Sequence, residues 1–387
     1  MDSPLLLSES LSPAPRHPVV GTQKDIRYYG TQARGVLNSP STTGMNFWSI
    51  NPYVGCAFGC TYCYARYAHR FVMERAASEA ERDHLLIDDL QELPPWLAFE
   101  RRIFVKRNAA DVLRRTLQRR SEAIGAVRRG ETIVIGTATD PYQPAERTFR
   151  VTRAVLEVLA EARRLRLVII TKSPLITRDV DLLVHIAQRS RLTVHLSLIT
   201  LDRELARRVE PRAPTPEARL RALRRLGEAG LDVGINIMPV LPGITDHPDA
   251  LSALVHRVSA GGASHINACA LRLRSTSRKR YLPWLSAEFP ELASRYARAY
   301  GADHQVNDRY REGLRQFLRT TCRKAGIRYG SPEERAYEGA DREGRAGEAW
   351  EEMPPEAIAD AAAATNAGVP VDGRRVLPVL HQMELPL

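Results

Sequence analysis

Three cysteines near the start of the chain have a spacing that can hold a metal centre. Cys56, Cys60 and Cys63 form a C-x3-C-x2-C motif, and thiolates are ligands of zinc and of iron–sulfur clusters. Gly55 and Gly59 give the intervening loop the backbone freedom that a tight turn around one centre requires. Three cysteines leave one coordination position without protein sulfur, which is typical of a catalytic centre rather than a closed structural one.

A structural zinc site is the alternative interpretation of the same cysteines. Such a site closes with a fourth protein ligand, and His69 lies near enough in the sequence to supply it. The chain would then be a non-catalytic nucleic-acid-binding protein with a structural metal site.

The motif resembles the cluster loop of the radical S-adenosylmethionine (SAM) superfamily, including the aromatic Tyr62 directly before the third cysteine. The resemblance implies that Cys56, Cys60 and Cys63 bind three irons of a [4Fe–4S] cluster, while SAM chelates the fourth. It also implies cleavage of SAM to a 5′-deoxyadenosyl radical that abstracts hydrogen from a substrate. An electron donor such as flavodoxin or ferredoxin is implied as a partner.

Other short motifs resemble the spore photoproduct lyase-like branch of that superfamily, whose members are often described as DNA repair photolyase-like. They follow one another in the expected order, at residues 135–146, 171–173, 178–179, 210–212 and 239–243. The branch implies a lyase-like reaction, but the motifs do not identify the substrate.

Polar residues at the ends of predicted strands are the expected contacts to SAM. By the resemblance, Thr137 and Asp140 lie where the SAM amino group is bound, and Lys172 lies where the carboxylate is neutralised. Asp140 has a second interpretation as the N-cap of the following helix. Lys172 has a second interpretation as a solvent-facing side chain.

Two further residues complete the predicted SAM site. Ser197 ends the fourth predicted strand and is a candidate hydrogen-bonding group for SAM. Arg212 is a candidate for the SAM carboxylate or ribose. It is equally a candidate for a structural ion pair with Glu210.

One residue of the branch is absent from its expected place. The lesion-cleaving lyases carry a further cysteine soon after the cluster loop, which donates a hydrogen atom to the product radical. This chain has no cysteine between Cys63 and Cys269. Either the enzyme does not split thymine dimers, or Cys269 or Tyr142 donates instead. Cys269 also fits a buried, small apolar role.

The net charge of +11 favours a polyanionic partner, since 56 Lys and Arg stand against 45 Asp and Glu. Basic clusters occupy residues 101–129, 207–225 and 272–280. The first two fall on predicted helices and are open to interpretation as solvated faces. The third leaves the sixth predicted strand and is followed by Tyr281 and Trp284, a combination that suits phosphate contacts and base stacking. We expect a nucleic acid as substrate or partner, with a peptide or small metabolite as the alternative substrate.

The cysteines and the candidate SAM contacts must be positioned by regular secondary structure, and short runs rich in Val and Ile are the candidates for its strands. Six of them alternate with amphipathic stretches, around residues 47–53, 132–137, 167–171, 192–198, 232–238 and 265–271. This alternation predicts βαβ crossovers and a parallel sheet of class α/β. The family resemblance implies a partial (β/α)6, TIM-like barrel.

The sequence also predicts a division of the chain into regions. The predicted regions are an N-terminal extension (1–45), the barrel (46–285), a helical C-terminal region (286–330) and an acidic, mobile tail (331–387). Helices are expected over 147–164, 292–300 and 310–325.

Composition narrows the class of protein. Apolar residues make up 44% and charged residues 26% of the chain, as in an ordinary soluble protein. No long uncharged apolar run and no signal-peptide pattern is present, so we expect no membrane association. Clustered rather than distributed cysteines favour a reducing, cytoplasmic location.

Overall fold

The computed structural model describes residues 17–69, 89–90, 92–119, 121–301 and 303–330. We number strands and helices over these residues. The strands are β1 Val19–Gln23, β2 Ile26–Thr31, β3 Leu37–Asn38, β4 Trp48–Ile50, β5 Tyr53–Val54, β6 Arg102–Lys106, β7 Thr132–Ile135, β8 Arg166–Thr171, β9 Arg191–Ser197, β10 Asp232–Val240, β11 His265–Ala270 and β12 Arg328–Tyr329.

The helices cover the faces of the sheet and form the C-terminal part of the described chain. They are α1 Pro40–Thr43, α2 Pro95–Arg101, α3 Ala109–Gln118, α4 Glu122–Arg128, α5 Ala145–Phe149, α6 Val151–Glu161, α7 Val180–Ala187, α8 Arg203–Val209, α9 Pro216–Glu228, α10 Pro248–Ala260, α11 Ser275–Glu288, α12 Pro290–Ala299 and α13 Asp308–Lys324. Short 3₁₀ turns lie at Tyr64–Tyr67 and Pro174–Asp179.

The main sheet has the order β12-β11-β10-β9-β8-β7-β4-β3. Its strands from β4 to β12 are parallel, and only the edge strand β3 pairs antiparallel. Spatial order follows chain order from β7 to β12, as repeated βα units require. All six predicted strands are present, so the α/β fold class with a parallel, barrel-type sheet is confirmed.

Burial explains why these segments become strands. Ile133, Leu167, Val194 and Ile235 sit on four neighbouring strands and are essentially inaccessible to solvent. Beta-branched and aliphatic side chains suit strands that are covered on both faces.

The helix predicted over residues 147–164 is interrupted. Arg150 adopts a left-handed conformation with φ of 51°, which ends α5 and precedes α6. The predicted apolar stripe of Val155, Leu156 and Leu159 is buried on α6. The helices expected over 292–300 and 310–325 are found as α12 and α13.

A second, smaller sheet was not predicted. It has the order β1-β2-β6-β5, and β6 lies in the basic cluster 101–129, which the sequence pattern assigned to helices. Arg102 on β6 is buried and its Nε lies 2.7 Å from Asp89 Oδ2. The pairing of β5 with β6 holds the residues directly before the cysteine loop.

Some predictions lie beyond the described residues. The predicted tail at 331–387 lies outside them, and the region boundaries and cytoplasmic location stay predictions. In the described part of the chain, no helix combines the length and apolarity that crossing a membrane requires.

Candidate metal and cofactor site

The cysteine loop runs from β5 to the 3₁₀ turn that begins at Tyr64, and two of its glycines have no substitute. Gly55 and Gly59 have φ of 86° and 65°, a left-handed region that side chains disfavour. A Cβ on Gly55 would lie 2.7 Å from Phe99 O, and one on Gly59 would lie 2.6 Å from Arg212 Nη2. The loop is therefore closely packed on the side away from solvent.

Side chains after β7 fasten the same loop. Thr139 Oγ1 donates to Gly55 O at 2.6 Å, and Gln143 Nε2 donates to it at 3.0 Å. Gln143 Oε1 accepts from Ala57 N at 2.9 Å. Gln143 was not predicted as a site residue, because its role depends on a partner 86 residues earlier in the chain.

The three thiols are close together and shielded from water. Cys56 and Cys60 are buried and Cys63 is half-buried. Burial raises the pKa of all three thiols, that of Cys56 to about 12. Cys63 further raises the pKa of Cys56 and of Cys60, so the three sulfurs lie within electrostatic reach of one another. Buried thiolates require a compensating cation, and a metal centre supplies one.

The donor set of the loop is three cysteine thiolates. In a [4Fe–4S] cluster cysteine thiolates are the protein ligands, each bound to a different iron. The donor set therefore fits a [4Fe–4S] cluster with one iron left for a ligand other than protein sulfur.

His69 has other contacts. Its ring is buried, with centroids 5.6 Å from Phe99 and 5.8 Å from Phe104. Its Nε2 lies 2.7 Å from Arg102 O. Burial lowers the pKa of His69 to about 4, which keeps the ring neutral. These contacts occupy Nε2 and the faces of the ring, and Nδ1 is buried without a hydrogen bond to any of the described residues.

Asp140 connects the ends of two strands. Its Oδ1 accepts from Thr171 Oγ1 at 2.6 Å and from Tyr142 N at 2.9 Å, while Oδ2 accepts from Lys172 N at 2.7 Å. Burial raises the pKa of the carboxyl group, and these hydrogen bonds oppose the rise. The alternative role as a helix N-cap is wrong, because Pro144 occupies that position of α5.

Thr137 lies beside two residues that the sequence did not single out. Its hydroxyl accepts from Asn51 Nδ2 at 3.2 Å, and its carbonyl accepts from the Tyr64 hydroxyl. Tyr64 is 44% exposed, yet burial among neighbouring groups raises the pKa of its phenol. Both observations hold for a ring that is open to solvent on one side only. We call the region around Tyr64, at the carboxyl ends of the strands, the cleft.

Lys172 faces a buried carboxylate. Its Nζ lies 3.8 Å from Glu210 Oε1 and 5.6 Å from the centre of the Tyr62 ring. Glu210 also accepts from Arg219 and from the Tyr62 hydroxyl. Burial acts to raise the pKa of Glu210, but Arg219 and Lys172 hold it below its usual range. The Lys172 ammonium therefore lies beside the Glu210 carboxylate, and the interpretation of Lys172 as a solvent-facing side chain is wrong.

Arg212 does not pair with Glu210, so the predicted structural pair is wrong. Glu210 already binds Arg219. The Nε of Arg212 instead donates to Ala57 O at 2.6 Å, and its Nη2 lies 3.4 Å from Glu100 Oε1. Arg212 therefore holds the backbone of the cysteine loop.

Ser197 belongs to a polar layer across three strands. In the strand register it pairs with Asn236 on β10, which pairs with Asn267 on β11. Asn267 Nδ2 donates to Asn236 Oδ1 at 3.1 Å. All three side chains are buried, and Ser197 O accepts from Arg219 at 3.0 Å. The two asparagines were not predicted as site residues.

The two candidate hydrogen donors lie in different environments. Cys269 is half-buried on β11, close enough to Tyr64 and Tyr300 to raise the pKa of their phenols. Tyr142 is only 1% exposed and lies beside Asp179. Cys269 is thus the candidate next to the cleft.

Part of the third basic cluster, residues 272–280, makes contacts within the protein. Tyr281 and Trp284 are buried, so the expected base stacking on them is wrong. Arg278 donates to the carbonyls of Tyr300 and Asp303. The side chains of this cluster that are open to solvent are Arg272 and Arg274.

Comparison with known protein families and sequences identifies relatives. A profile described as the Radical SAM superfamily matches residues 50–254. An uncharacterised protein of Mycobacterium tuberculosis is 34% identical over 293 residues, which cover 75% of this chain and 78% of the relative. An uncharacterised protein of Methanocaldococcus jannaschii is 27% identical over 215 residues, which cover 56% of this chain and 68% of the relative.

Solved structures with a similar fold include variants of spore photoproduct lyase. A cysteine-to-alanine variant with a dinucleoside spore photoproduct has a TM-score of 0.54 and 14% identity, covering 78% of this chain and 81% of that chain. A tyrosine-to-phenylalanine variant of the same enzyme has a TM-score of 0.53 and 13% identity over the same shares. At this level of identity the likeness concerns the fold.

Proposed function

The chain belongs to the radical SAM superfamily, and from this membership we propose that Cys56, Cys60 and Cys63 hold its [4Fe–4S] cluster and that its substrate is a nucleic acid. The match over residues 50–254 confirms the resemblance drawn from the cysteine motif. The protein is thus a radical SAM enzyme that uses a [4Fe–4S] cluster and SAM. When bound, these cofactors supply reductive cleavage of SAM to a 5′-deoxyadenosyl radical.

One observation supports the metal assignment most strongly. Three mutually close thiols lie on one loop, at the carboxyl edge of the parallel sheet, where ligands of such sheets bind. The loop is fixed by side chains from after β7 and by Arg212 from after α8, so the thiolates are held in place before any ligand arrives. Preorganisation of this kind favours a bound centre over three unconnected cysteines.

Residues around the loop are suited to bind SAM. We assign Lys172 to the SAM carboxylate, because its ammonium is already held at the cleft beside Glu210. Thr137 and Asp140 follow β7 and Ser197 ends β9, and all three offer acceptors to the amino and hydroxyl groups. Arg212 contributes by holding the loop.

Buried apolar side chains next to the loop exclude water. Phe58 and Tyr62 lie within the loop and are almost fully buried. Exclusion of water protects a reactive radical from side reactions. An external electron donor is required by this chemistry, and a flavodoxin- or ferredoxin-type protein is the donor that we propose.

The nucleic-acid proposal depends on the mouth of the cleft. Arg272 and Arg274 are exposed directly after β11 and suit phosphate groups. Tyr64 presents an accessible ring in the same region and takes the stacking role that Tyr281 and Trp284 cannot fill. Spore photoproduct lyase, whose fold is similar, has been solved with a dinucleoside spore photoproduct.

The function is tested by SAM turnover in anaerobically reconstituted protein. Under reduction we expect 5′-deoxyadenosine, and mass spectrometry of added DNA and RNA should reveal a modified or cleaved nucleotide. Formation of 5′-deoxyadenosine with unchanged nucleic acid but altered peptide or metabolite fractions would contradict the substrate. No 5′-deoxyadenosine from iron-replete protein would contradict the SAM chemistry.

A further inference from the structure

Glu100, on α2 beneath the cysteine loop, faces three guanidinium groups. Its carboxylate lies 2.5 Å from Arg66 Nη2, 3.4 Å from Arg212 Nη2 and 3.8 Å from Arg280 Nε. The side chains of Arg66 and Glu100 are 0% and 4% exposed, and that of Arg280 is 14% exposed. We call these four residues the arginine group.

The arginine group contacts the loop between the cysteines. Arg66 Nη2 donates to Cys60 O at 2.7 Å, and Arg212 Nε donates to Ala57 O at 2.6 Å. Gly59 lies between them, and even a methyl group there would collide with the Arg212 guanidinium. Arg66 and Arg212 are thus in direct contact with the backbone of the cysteine loop.

The charges of this group do not balance. Within the described part of the chain, Glu100 is the carboxylate that pairs with all three arginines, and it neutralises one of them. Burial lowers the pKa of Arg280, Glu100 acts against this, and the neighbouring Arg66 and Arg212 lower it further. Excess buried charge of one sign is costly unless a group of opposite sign lies nearby.

The group lies next to the proposed ligands: Arg66 donates to the backbone carbonyl of Cys60, one of the three cysteines of the loop. An iron–sulfur cluster with three thiolates carries net negative charge, and reduction adds one more electron. Net charge around a cluster is one of the quantities that set its reduction potential.

We propose that the arginine group raises the reduction potential of the cluster, with Arg280 supplying one of its positive charges. The inference rests on the proposed cluster at Cys56, Cys60 and Cys63. In this one-electron step an external reductant is oxidised and the cluster is reduced, with no bond made or broken in the protein. Arg280 is a charge-setting residue, since it touches Glu100 rather than the reacting atoms.

The test is a redox titration of reconstituted protein, followed by the electron paramagnetic resonance signal of the reduced cluster. Arg280→Gln should lower the ratio of reduced to oxidised cluster about tenfold at a fixed potential, which corresponds to a midpoint about 59 mV more negative. Arg280→Lys keeps the charge and should stay close to the unmodified protein. Arg224→Gln removes the same charge from an exposed position on α9 and should leave the midpoint unchanged.

A variant of opposite sign strengthens the test. Glu100→Gln removes the compensating carboxylate and should move the midpoint in the positive direction. If Arg280→Gln fails to fold, Arg212→Gln, which is 30% exposed, replaces it with the same expected sign. If Arg280→Gln and Glu100→Gln retain iron and sulfide and have the midpoint of the unmodified protein, the inference is overturned while the proposed function stays intact. Failure of the unmodified protein to assemble a cluster would overturn both.

Discussion

The two ends of the main sheet both bury polar side chains, but the partners of those side chains differ. Toward the amino ends of the strands, His195 and His265 approach to 3.0 Å between their Nε2 atoms. Ser264 Oγ lies 2.8 Å from His265 Nδ1 and donates to Asp232 at 2.5 Å. We call this network closed, because its polar groups find their partners within the protein, Thr193 and the carbonyl of Val233 among them.

At the carboxyl ends the polar groups are arranged around an opening. Among the described residues, Arg66, Arg212 and Arg280 share the carboxylate of Glu100, and Tyr64 remains accessible to solvent. A closed network gains stability from its own hydrogen bonds. A network with excess charge and an open side is suited to bind a ligand. The contrast therefore distinguishes polar residues that stabilise the fold from polar residues that serve a binding site.

The largest difference between the two ends is expected when one glycine at each end is replaced by alanine. Gly59→Ala strains a left-handed residue and meets Arg212 at 2.6 Å, so we expect most of the bound iron to be lost, together with about 1–3 kcal/mol of stability. Gly234→Ala meets His265 Nε2 at 2.2 Å and should cost about 1–3 kcal/mol of stability. Thermal unfolding and iron analysis check both, and iron loss in Gly234→Ala alone would reverse the assignment of the two ends.

The second-largest effect is expected from substitution of Lys172. Lys172→Met removes the cation assigned to the SAM carboxylate and should weaken SAM binding about tenfold, as loss of a charged hydrogen bond does. Lys172→Arg is the matched control and should retain most of the affinity. Isothermal titration of SAM into reconstituted protein measures this, and unchanged affinity in Lys172→Met would remove Lys172 from the site.

The closed network predicts a dependence of stability on pH. Burial and then the neighbouring His265 lower the pKa of His195 from 6.5 to about 3, against a smaller opposing effect of Asp232. The unfolded chain takes up a proton as pH falls through 6.5 and the folded one does not until about 3. Stability from this group is thus complete above pH 6.5 and is lost below it, by about 1.4 kcal/mol per pH unit.

Urea unfolding between pH 7.5 and about 4.5 checks this slope. His195→Gln removes the titrating group and should flatten the slope while leaving iron content unchanged. An equal slope in the variant would mean that other groups cause it.

The smallest effect is expected from the exposed arginines of the mouth. Arg272→Gln and Arg274→Gln should each reduce the salt dependence of nucleic-acid binding by about one charge and weaken affinity several-fold. Arg298→Gln, on the exposed side of α12, is the matched control. Fluorescence anisotropy with a labelled oligonucleotide at several salt concentrations measures both quantities, and equal slopes in all variants would exclude these arginines from the interface.

Local patterns predicted the framework of the site well. The six predicted strands are short apolar runs, and the run alone indicates a buried strand. The predicted cofactor contacts Thr137, Asp140, Lys172 and Ser197 all lie at or after the carboxyl ends of strands, as expected from topology. Whether each of them contacts SAM stays a prediction.

Contacts between residues that are distant in the sequence could not be predicted from local sequence patterns. Glu100 meets Arg212 and Arg280 only because α2, the loop after α8 and α11 converge under the cysteine loop. Tyr281 and Trp284 follow a basic cluster, but their rings are buried in the helical packing. The small sheet was missed because β1 and β2 are short and interrupted by charged and glycine residues.

The central claim, that three cysteines of one loop hold the cluster, is tested most directly by iron and sulfide analysis of anaerobically reconstituted protein. We predict about four irons and four sulfides per chain. Cys56→Ala, Cys60→Ala and Cys63→Ala should each lose most of them, whereas Cys322→Ala, in the buried face of α13, should not. About one zinc without sulfide, or full iron retention in the three loop variants, would contradict the account.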